Sequence, residues 1–196
     1  MLPKTLHLWY SYMIPLWETL DVTPLADLKI FTAKAVRRKH PKRNAIGTFY
    51  VLDSAEWVNI IPLTADKHVV MIRQYRHGTG SITLEVPGGL VEHGEDPREA
   101  GMRECREETG YAASESALLL GINEPNPAFM NNQCYSYLWQ DCKPAQAQAF
   151  DEFEDIEVEL VPLGAIPRLI ADGTIKHSLT LTAFFYYTLR FGAISE

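Results

Sequence analysis

The stretch from Gly88 to Tyr111 constrains this chain more than any other part of it. It reads GGLVEHGEDPREAGMRECREETGY, one turn and one helix that are rich in acidic residues. The seven carboxylates belong to Glu92, Glu95, Asp96, Glu99, Glu104, Glu107 and Glu108. Like charges this close together on a helix repel one another. The stretch therefore predicts that some of these groups hold a cation.

The second half of the stretch predicts a helix from Pro97 to Thr109. Asp96 can cap its start, proline suits the first helical position, and Glu99 completes a capping box. Gly110 is a typical stop signal.

Three glutamates share one face of this helix, because Glu107 lies three and Glu108 four residues after Glu104. Arg103 lies four residues before Glu107 and can pair with it. Clustered carboxylates without His or Cys favour Mg²⁺, or Mn²⁺, over Zn²⁺. The Gly88-Gly89 turn allows close backbone approach and can add a carbonyl. We predict Glu104, Glu107, Glu108 and the Gly88 carbonyl as metal ligands. A solvated acidic helix face is the alternative.

The complete pattern resembles the signature of the Nudix hydrolases. Gly89 is followed after five residues by Glu95, and after seven more by RECREETGY from Arg103. Two usually aliphatic positions hold Cys105 and Tyr111, a departure that affects packing rather than chemistry. The resemblance implies a loop–helix–loop that binds divalent metals. It also implies hydrolysis of a nucleoside diphosphate linked to another group.

Flanking residues resemble the ADP-ribose pyrophosphatase branch of that family. RQYR from Arg73 and LEVPGG from Leu84 precede the box. The branch also carries a proline 16 residues past the box, where this chain has Pro127. Pro125, at offset 14, shows how easily a proline is found in this loop.

The acidic segment DEFED, residues 151–155, is the second chemical feature. In the ADP-ribose branch a glutamate of this loop acts as general base, so the resemblance implies Glu152, with Glu154 as the alternative. Glu107 is also placed among the catalytic residues. A solvated acidic loop is the alternative from the residues alone.

Other residues are predicted to bind the substrate. Arg73 or Arg76 is expected to hold phosphate oxygens with paired hydrogen bonds, and Glu85 precedes the glycine turn and can join the site. The base is expected to stack on an aromatic ring, with Trp57, Trp9 and Trp17 as candidates.

Composition narrows the class of protein. A net charge of −7 excludes a general nucleic-acid binder. Cys105, Cys134 and Cys142 are odd in number and lack metal-ligand spacing, which predicts free thiols and a cytoplasmic location. No apolar run is long enough to span a bilayer. The apolar segment Leu6–Trp17 is interpreted as packed chain rather than a signal peptide.

The pattern of elements predicts an α+β fold, an α/β/α sandwich around a mixed sheet; the Nudix resemblance implies the same fold. Residues 1–55 are predicted to form an N-terminal antiparallel β subdomain and residues 56–196 the Nudix core. The expected strands are Leu28–Arg38, Ile46–Leu52, Trp57–Leu63, His68–Tyr75, Ser81–Val86, Leu118–Ile122, Gln133–Trp139 and Ile156–Val161. Helices are expected at Pro162–Asp172 and Thr174–Leu189, with a flexible loop at Lys143–Phe150. The branch resemblance implies a homodimer. The aromatic N-terminus is compatible with packing across a dimer interface and equally with packing within the fold.

The sequence thus predicts Mg²⁺-dependent hydrolysis of a nucleoside diphosphate-linked compound, such as ADP-ribose or a nucleotide sugar. The products would be a nucleoside monophosphate and a sugar phosphate. A housecleaning hydrolase of nucleoside triphosphates or coenzyme derivatives is the alternative, and a non-catalytic nucleotide-sugar sensor is a weaker one.

Overall fold

The computed structural model describes residues 14–150 and 155–194. The chain forms two compact units: one runs up to Ser54 and includes Phe129–Asn131, and the other comprises Ala55–Ala128 and the chain from Asn132 onward. No helix in the described ranges is long and apolar enough to cross a membrane.

The first unit is a three-stranded antiparallel sheet. Its strands, in order, are β1 (Glu18–Asp27), β2 (Phe31–Lys39) and β3 (Ile46–Ser54). The predicted strand at Ile46–Leu52 is confirmed. The predicted Leu28–Arg38 strand begins too early, because Lys29 adopts a positive φ of 66° in the turn before β2. β1 was not predicted, since ETLDVTPLAD has no clear alternation and contains a proline.

The second unit is built on a seven-stranded mixed sheet. Its strands are β4 (Trp57–Leu63), β5 (His68–Arg76), β6 (Ser81–Glu85), β7 (Gly88–Leu90), β9 (Leu118–Asn123), β10 (Cys134–Gln140) and β12 (Ile156–Pro162). The main path runs β12-β5-β4-β10-β9, with β6 paired to β5 and β7 paired to β4. β4 and β10 are parallel, and the other pairs are antiparallel. A separate two-stranded ribbon joins β8 (Tyr111–Ala112) to β11 (Lys143–Pro144).

Helices cover both faces of this sheet. Val58 and Ile60 pack with α1 (Pro97–Thr109) in one core cluster, whereas Ile61 and Leu63 pack in the other with α2 (Ile166–Ala171) and α3 (Ser178–Phe191). Successive strand residues point to opposite faces, so α1 lies opposite α2 and α3. The predicted α+β sandwich around a mixed sheet is confirmed.

The C-terminal elements are shorter than predicted. Leu163–Ala165 is a 3₁₀ turn before α2, and α3 begins at Ser178 rather than at Thr174. The predicted loop at Lys143–Phe150 begins with β11 and is hydrogen-bonded to the end of α1 rather than free. Ala, Gln and Lys alone do not reveal such bonds, because their partners lie about 40 residues earlier in the chain.

Candidate active site

Helix α1 has the predicted ends. Asp96 Oδ1 accepts hydrogen bonds from the N–H groups of Arg98 at 2.9 Å and Glu99 at 3.4 Å, and Pro97 occupies the first turn. Gly110 follows with a φ of 74° and donates its N–H to the Arg106 carbonyl. The positive φ explains why a glycine ends the helix. Both ends of α1 are therefore fixed, and with them the backbone positions of its glutamates.

Arg103 lies among the carboxylates of the site. Its Nη1 is 2.9 Å from Glu104 Oε1 and 3.0 Å from Glu107 Oε2, and its Nε is 3.0 Å from Glu95 Oε1. The hydrogen bond from Arg103 lowers the pKa of Glu95. The carboxylates raise the pKa of Arg103, led by the hydrogen bond with Glu95. The spacing prediction that Arg103 pairs with Glu107 is confirmed.

Glu104 and Glu108 meet Gly88 and Gly89, which we call the glycine pair. The predicted turn at these residues is wrong, because they begin strand β7, pair with β4 and do not adopt a positive φ. Glu108 is only 4% exposed, and its Oε2 accepts the Gly88 N–H at 3.0 Å. A Cβ added at Gly89 would overlap the Glu104 carboxylate. The backbone can therefore approach the Glu104 carboxylate this closely only because Gly89 lacks a side chain.

These residues fit a hard divalent cation by their chemistry. The donors are carboxylate oxygens beside the backbone of the glycine pair, without sulfur or imidazole. Within residues 14–150 and 155–194, no three His, Cys, Asp or Glu side chains are gathered around a common point for a metal ion. Glu104 and Glu107 instead share the Arg103 guanidinium. The metal-ligand assignment stays a prediction.

The tight packing around Gly88 gives a first test of the site's geometry. Replacing Gly88 by alanine should destabilise the protein by about 2 kcal/mol, the usual range for overpacking, because the new Cβ overlaps the Val58 carbonyl in the neighbouring strand. Chemical denaturation would measure the loss. Gly78→Ala is the control, since nothing lies within 4 Å of an added Cβ there. Equal stability of the two variants would contradict the close approach.

A second charged cluster surrounds Glu85. Arg76 binds this 1% exposed carboxylate with two hydrogen bonds, of 2.8 and 2.7 Å, and His177 Nδ1 lies 2.9 Å from its Oε2. The Thr83 hydroxyl donates to it as well. Burial alone would raise the pKa of Glu85, but the bonds from Arg76 and His177 outweigh it and hold the pKa at about 2. Glu85 is therefore a fixed anion that holds Arg76 in place.

His177 was missed by sequence reasoning. It occupies the N-cap position of α3, and its Nδ1 also lies 3.3 Å from Thr180 Oγ1. Its partner Glu85 is far away in the sequence, and no local pattern indicates the pair. A polar residue before an apolar helix was the only available signal.

The two predicted phosphate-binding arginines contact different carboxylates. Arg73 Nε is 2.7 Å from Glu159 on β12, and both side chains are more than a third exposed. Arg76 is bound to Glu85 on β6. The two guanidinium groups are bound by different carboxylates, so their orientations are set independently.

The remaining predicted residues are spread over the chain. Trp57 begins β4 and is half-buried, and Pro127 is exposed in the β9–β10 loop. Trp17 packs edge-on against His40 and Phe49 within the first unit. Trp9, Glu152 and Glu154 lie outside the described residues.

Comparison with known proteins decides the family. The NUDIX domain matches residues 55–182, which include the glycine pair, α1, the Glu85 cluster and His177. The chain belongs to the Nudix family. Members of this family generally use a divalent cation.

Curated Nudix relatives match along much of their length. The methanol dehydrogenase activator of Bacillus methanolicus is 31% identical over 134 residues, which cover 68% of this chain and 72% of the relative. The ADP compounds hydrolase NudE of Escherichia coli (strain K12) is 28% identical over 169 residues, 85% of this chain and 88% of the relative. The ADP-ribose pyrophosphatase of Bacillus subtilis (strain 168) is 26% identical over 134 residues, with coverages of 68% and 72%.

The Nudix fold is also supported by a solved structure. A crystal structure of an ADP compounds hydrolase superimposes with a TM-score of 0.80 and covers 93% of this chain and 100% of its own. Its sequence identity is 24%, so the likeness concerns the fold.

Proposed function

We propose that this Nudix protein hydrolyses the pyrophosphate bond of ADP-linked compounds such as ADP-ribose or nucleotide sugars. The products are a nucleoside monophosphate and a sugar phosphate. One observation carries the proposal: the box has all its carboxylates, with Glu104 and Glu108 against the glycine pair and Arg103 binding Glu95, Glu104 and Glu107. The names of the Escherichia coli and Bacillus subtilis relatives support the substrate class.

The metal is Mg²⁺, with Mn²⁺ as a substitute. Glu104, Glu107, Glu108 and the Gly88 carbonyl would hold it. When bound, it neutralises the diphosphate and polarises phosphorus for attack by water. Glu95 contributes by fixing Arg103, whose other bonds set the side-chain rotamers of Glu104 and Glu107.

The substrate is held by residues outside α1. Arg76 offers a guanidinium whose orientation is fixed by Glu85, which suits it to bind a non-bridging phosphate oxygen. Arg73 is the second candidate for this role. Trp57 is proposed to stack on the base, and Pro127 to line the loop beside the substrate.

The general base is proposed to be Glu152, with Glu154 as the alternative. Glu152→Gln should lower kcat about a hundredfold, the lower end of the range for general acid–base catalysis. Glu154→Gln is the matched control from the same segment and should have a smaller effect. Steady-state kinetics of the two variants measures the difference, and the reverse order would move the base to Glu154.

A substrate screen with Mg²⁺ tests the proposed function. We expect turnover of ADP-ribose and nucleotide sugars to exceed that of nucleoside triphosphates and dinucleotide coenzymes. Mass spectrometry of products formed in ¹⁸O-water would show which phosphorus is attacked. Preference for a triphosphate would reject the ADP-compound assignment in favour of the housecleaning alternative. Release of free inorganic phosphate would reject the assignment as a pyrophosphatase.

The proposed location is a reducing compartment, the cytoplasm. All three cysteines are buried and free, as is typical of proteins kept reduced.

The proposed oligomeric state is a homodimer. Apolar side chains on β1 are exposed in the single chain: Leu20 by 40%, Val22 by 50% and Leu25 by 55%. Such a surface suits association. Light scattering should give twice the chain mass of 22.2 kDa; the single-chain mass would contradict the dimer.

A further inference from the structure

The last turn of α1 is covered by a later segment of the chain, Ala145–Ala149, which we call the tether. A helix leaves the carbonyls of its last turn without partners inside the helix. In α1 these include the backbone carbonyls of Glu107 and Glu108, two of the proposed metal ligands. How these carbonyls are satisfied therefore bears on how firmly the ligands are held.

The tether satisfies the carbonyls one by one. The Ala149 N–H donates to the Glu107 carbonyl at 2.9 Å, and Gln148 Nε2 donates to the Glu108 carbonyl at 2.7 Å. Gln146 Nε2 approaches the Arg106 carbonyl at 3.4 Å. The bonds come from two side chains and one backbone group, so the contact depends on the glutamines in this segment.

Gly110 fixes the other end of the tether. Its carbonyl accepts the N–H groups of Ala145 at 2.8 Å and Gln146 at 3.2 Å. An added Cβ at Gly110 would overlap the Gln146 carbonyl, and the φ of 74° disfavours a side chain independently. The ribbon of β8 and β11 continues the same pairing past Gly110.

We propose that Gln148 is a positioning residue of the active site, which, through the tether, holds the last turn of α1 and with it Glu107 and Glu108. A helix end without such partners frays, and the ligand side chains would then lose their fixed backbone. This inference rests on the proposed function in taking these glutamates as metal ligands. Gln148 would act through its hydrogen bond to the Glu108 carbonyl rather than by binding the metal or the substrate.

The test uses Gln148→Met, which keeps the length of the side chain but removes the donor. We expect the Ala149 amide to exchange its hydrogen about tenfold faster. The Kd for Mg²⁺, measured by calorimetry without substrate, should rise about tenfold, as for loss of a residue that orients a metal ligand. The kcat should fall by a similar factor, with KM for ADP-ribose nearly unchanged.

Two further variants separate positioning from general damage. Gln148→Lys restores a donor at the negative end of the helix, so it should return exchange, Mg²⁺ affinity and kcat towards wild type. Gly110→Ala should reproduce the Gln148→Met result. Its control is Gly173→Ala, because Gly173 has a similar φ of 78° but open space around an added Cβ. Gln140→Met, at the exposed end of β10, is the control for the glutamine change.

The outcomes are distinct. If the Ala149 amide exchanges its hydrogen at the wild-type rate in Gln148→Met, Gln148 does not hold the segment on α1. If exchange is faster but the Mg²⁺ affinity is unchanged, Gln148 holds the segment but does not position the metal ligands. If the wild-type protein cleaves no ADP compound, the proposed function fails, while exchange and Mg²⁺ affinity still decide the role of Gln148.

Discussion

Replacing Glu108 by glutamine should lower kcat about a thousandfold, because loss of one metal-holding carboxylate removes several kcal/mol of transition-state stabilisation. Glu108 is the most buried of the three glutamates proposed as ligands and is bound to the Gly88 N–H. Glutamine keeps an acceptor oxygen for that N–H but cannot supply the negative charge. The fold should therefore survive, and the melting temperature should stay close to wild type.

Kinetics with ADP-ribose and a Mg²⁺ titration would measure the effect of Glu108→Gln. Glu99→Gln is the matched control, because Glu99 is exposed on the first turn of the same helix. We expect the control to keep wild-type kcat and Mg²⁺ affinity. Full activity of Glu108→Gln at low Mg²⁺ would show that the metal is held elsewhere.

Replacing Glu85 by glutamine should reduce stability at neutral pH by about 3 kcal/mol, the free energy that corresponds to its lowered pKa. The carboxylate is 1% exposed, and Arg76 and His177 hold its pKa at about 2, below the ordinary 4.5. A carboxylate whose pKa is lower in the folded protein than in the unfolded chain stabilises the fold, and it does so in full when the pH is above the pKa of the unfolded chain. That stability is lost as the pH falls from 4.5 to about 2.

Urea denaturation of wild type and Glu85→Gln between pH 7 and pH 2 would test this. The gap in unfolding free energy should be constant above about pH 5 and should close towards about pH 2. Glu115→Gln, at an exposed position, controls for the loss of one negative charge. A gap that keeps its full size at pH 2 would mean that the Glu85 charge is not the source of the stability.

Local signals were enough to predict α1 and the strands beside it. Asp96, Pro97 and Gly110 predicted both ends of α1, and the apolar run WVNIIPL predicted β4 with the observed bounds. These signals work because caps, turns and burial patterns act over a few residues. The spacing of Arg103 and Glu107 predicted their ion pair for the same reason.

Contacts between distant parts of the chain could not be predicted in this way. His177 contacts Glu85 although the two are 92 positions apart in the sequence, and Gln148 contacts the Glu108 carbonyl although they are 40 positions apart. Only the folded sheet brings these residues together, so no local pattern contains the information. The prediction of the three-stranded sheet in the first unit was incomplete for a related reason. Its strand β1 is defined by its pairing with β2 rather than by its own composition.

The position of Arg103 has a consequence for assembly of the enzyme. The repulsion among the acidic groups of α1 and its turn is offset by a cation that belongs to the chain itself. The polypeptide therefore brings its own counter-ion for these groups. Part of the charge compensation that so acidic a segment requires is built into the fold.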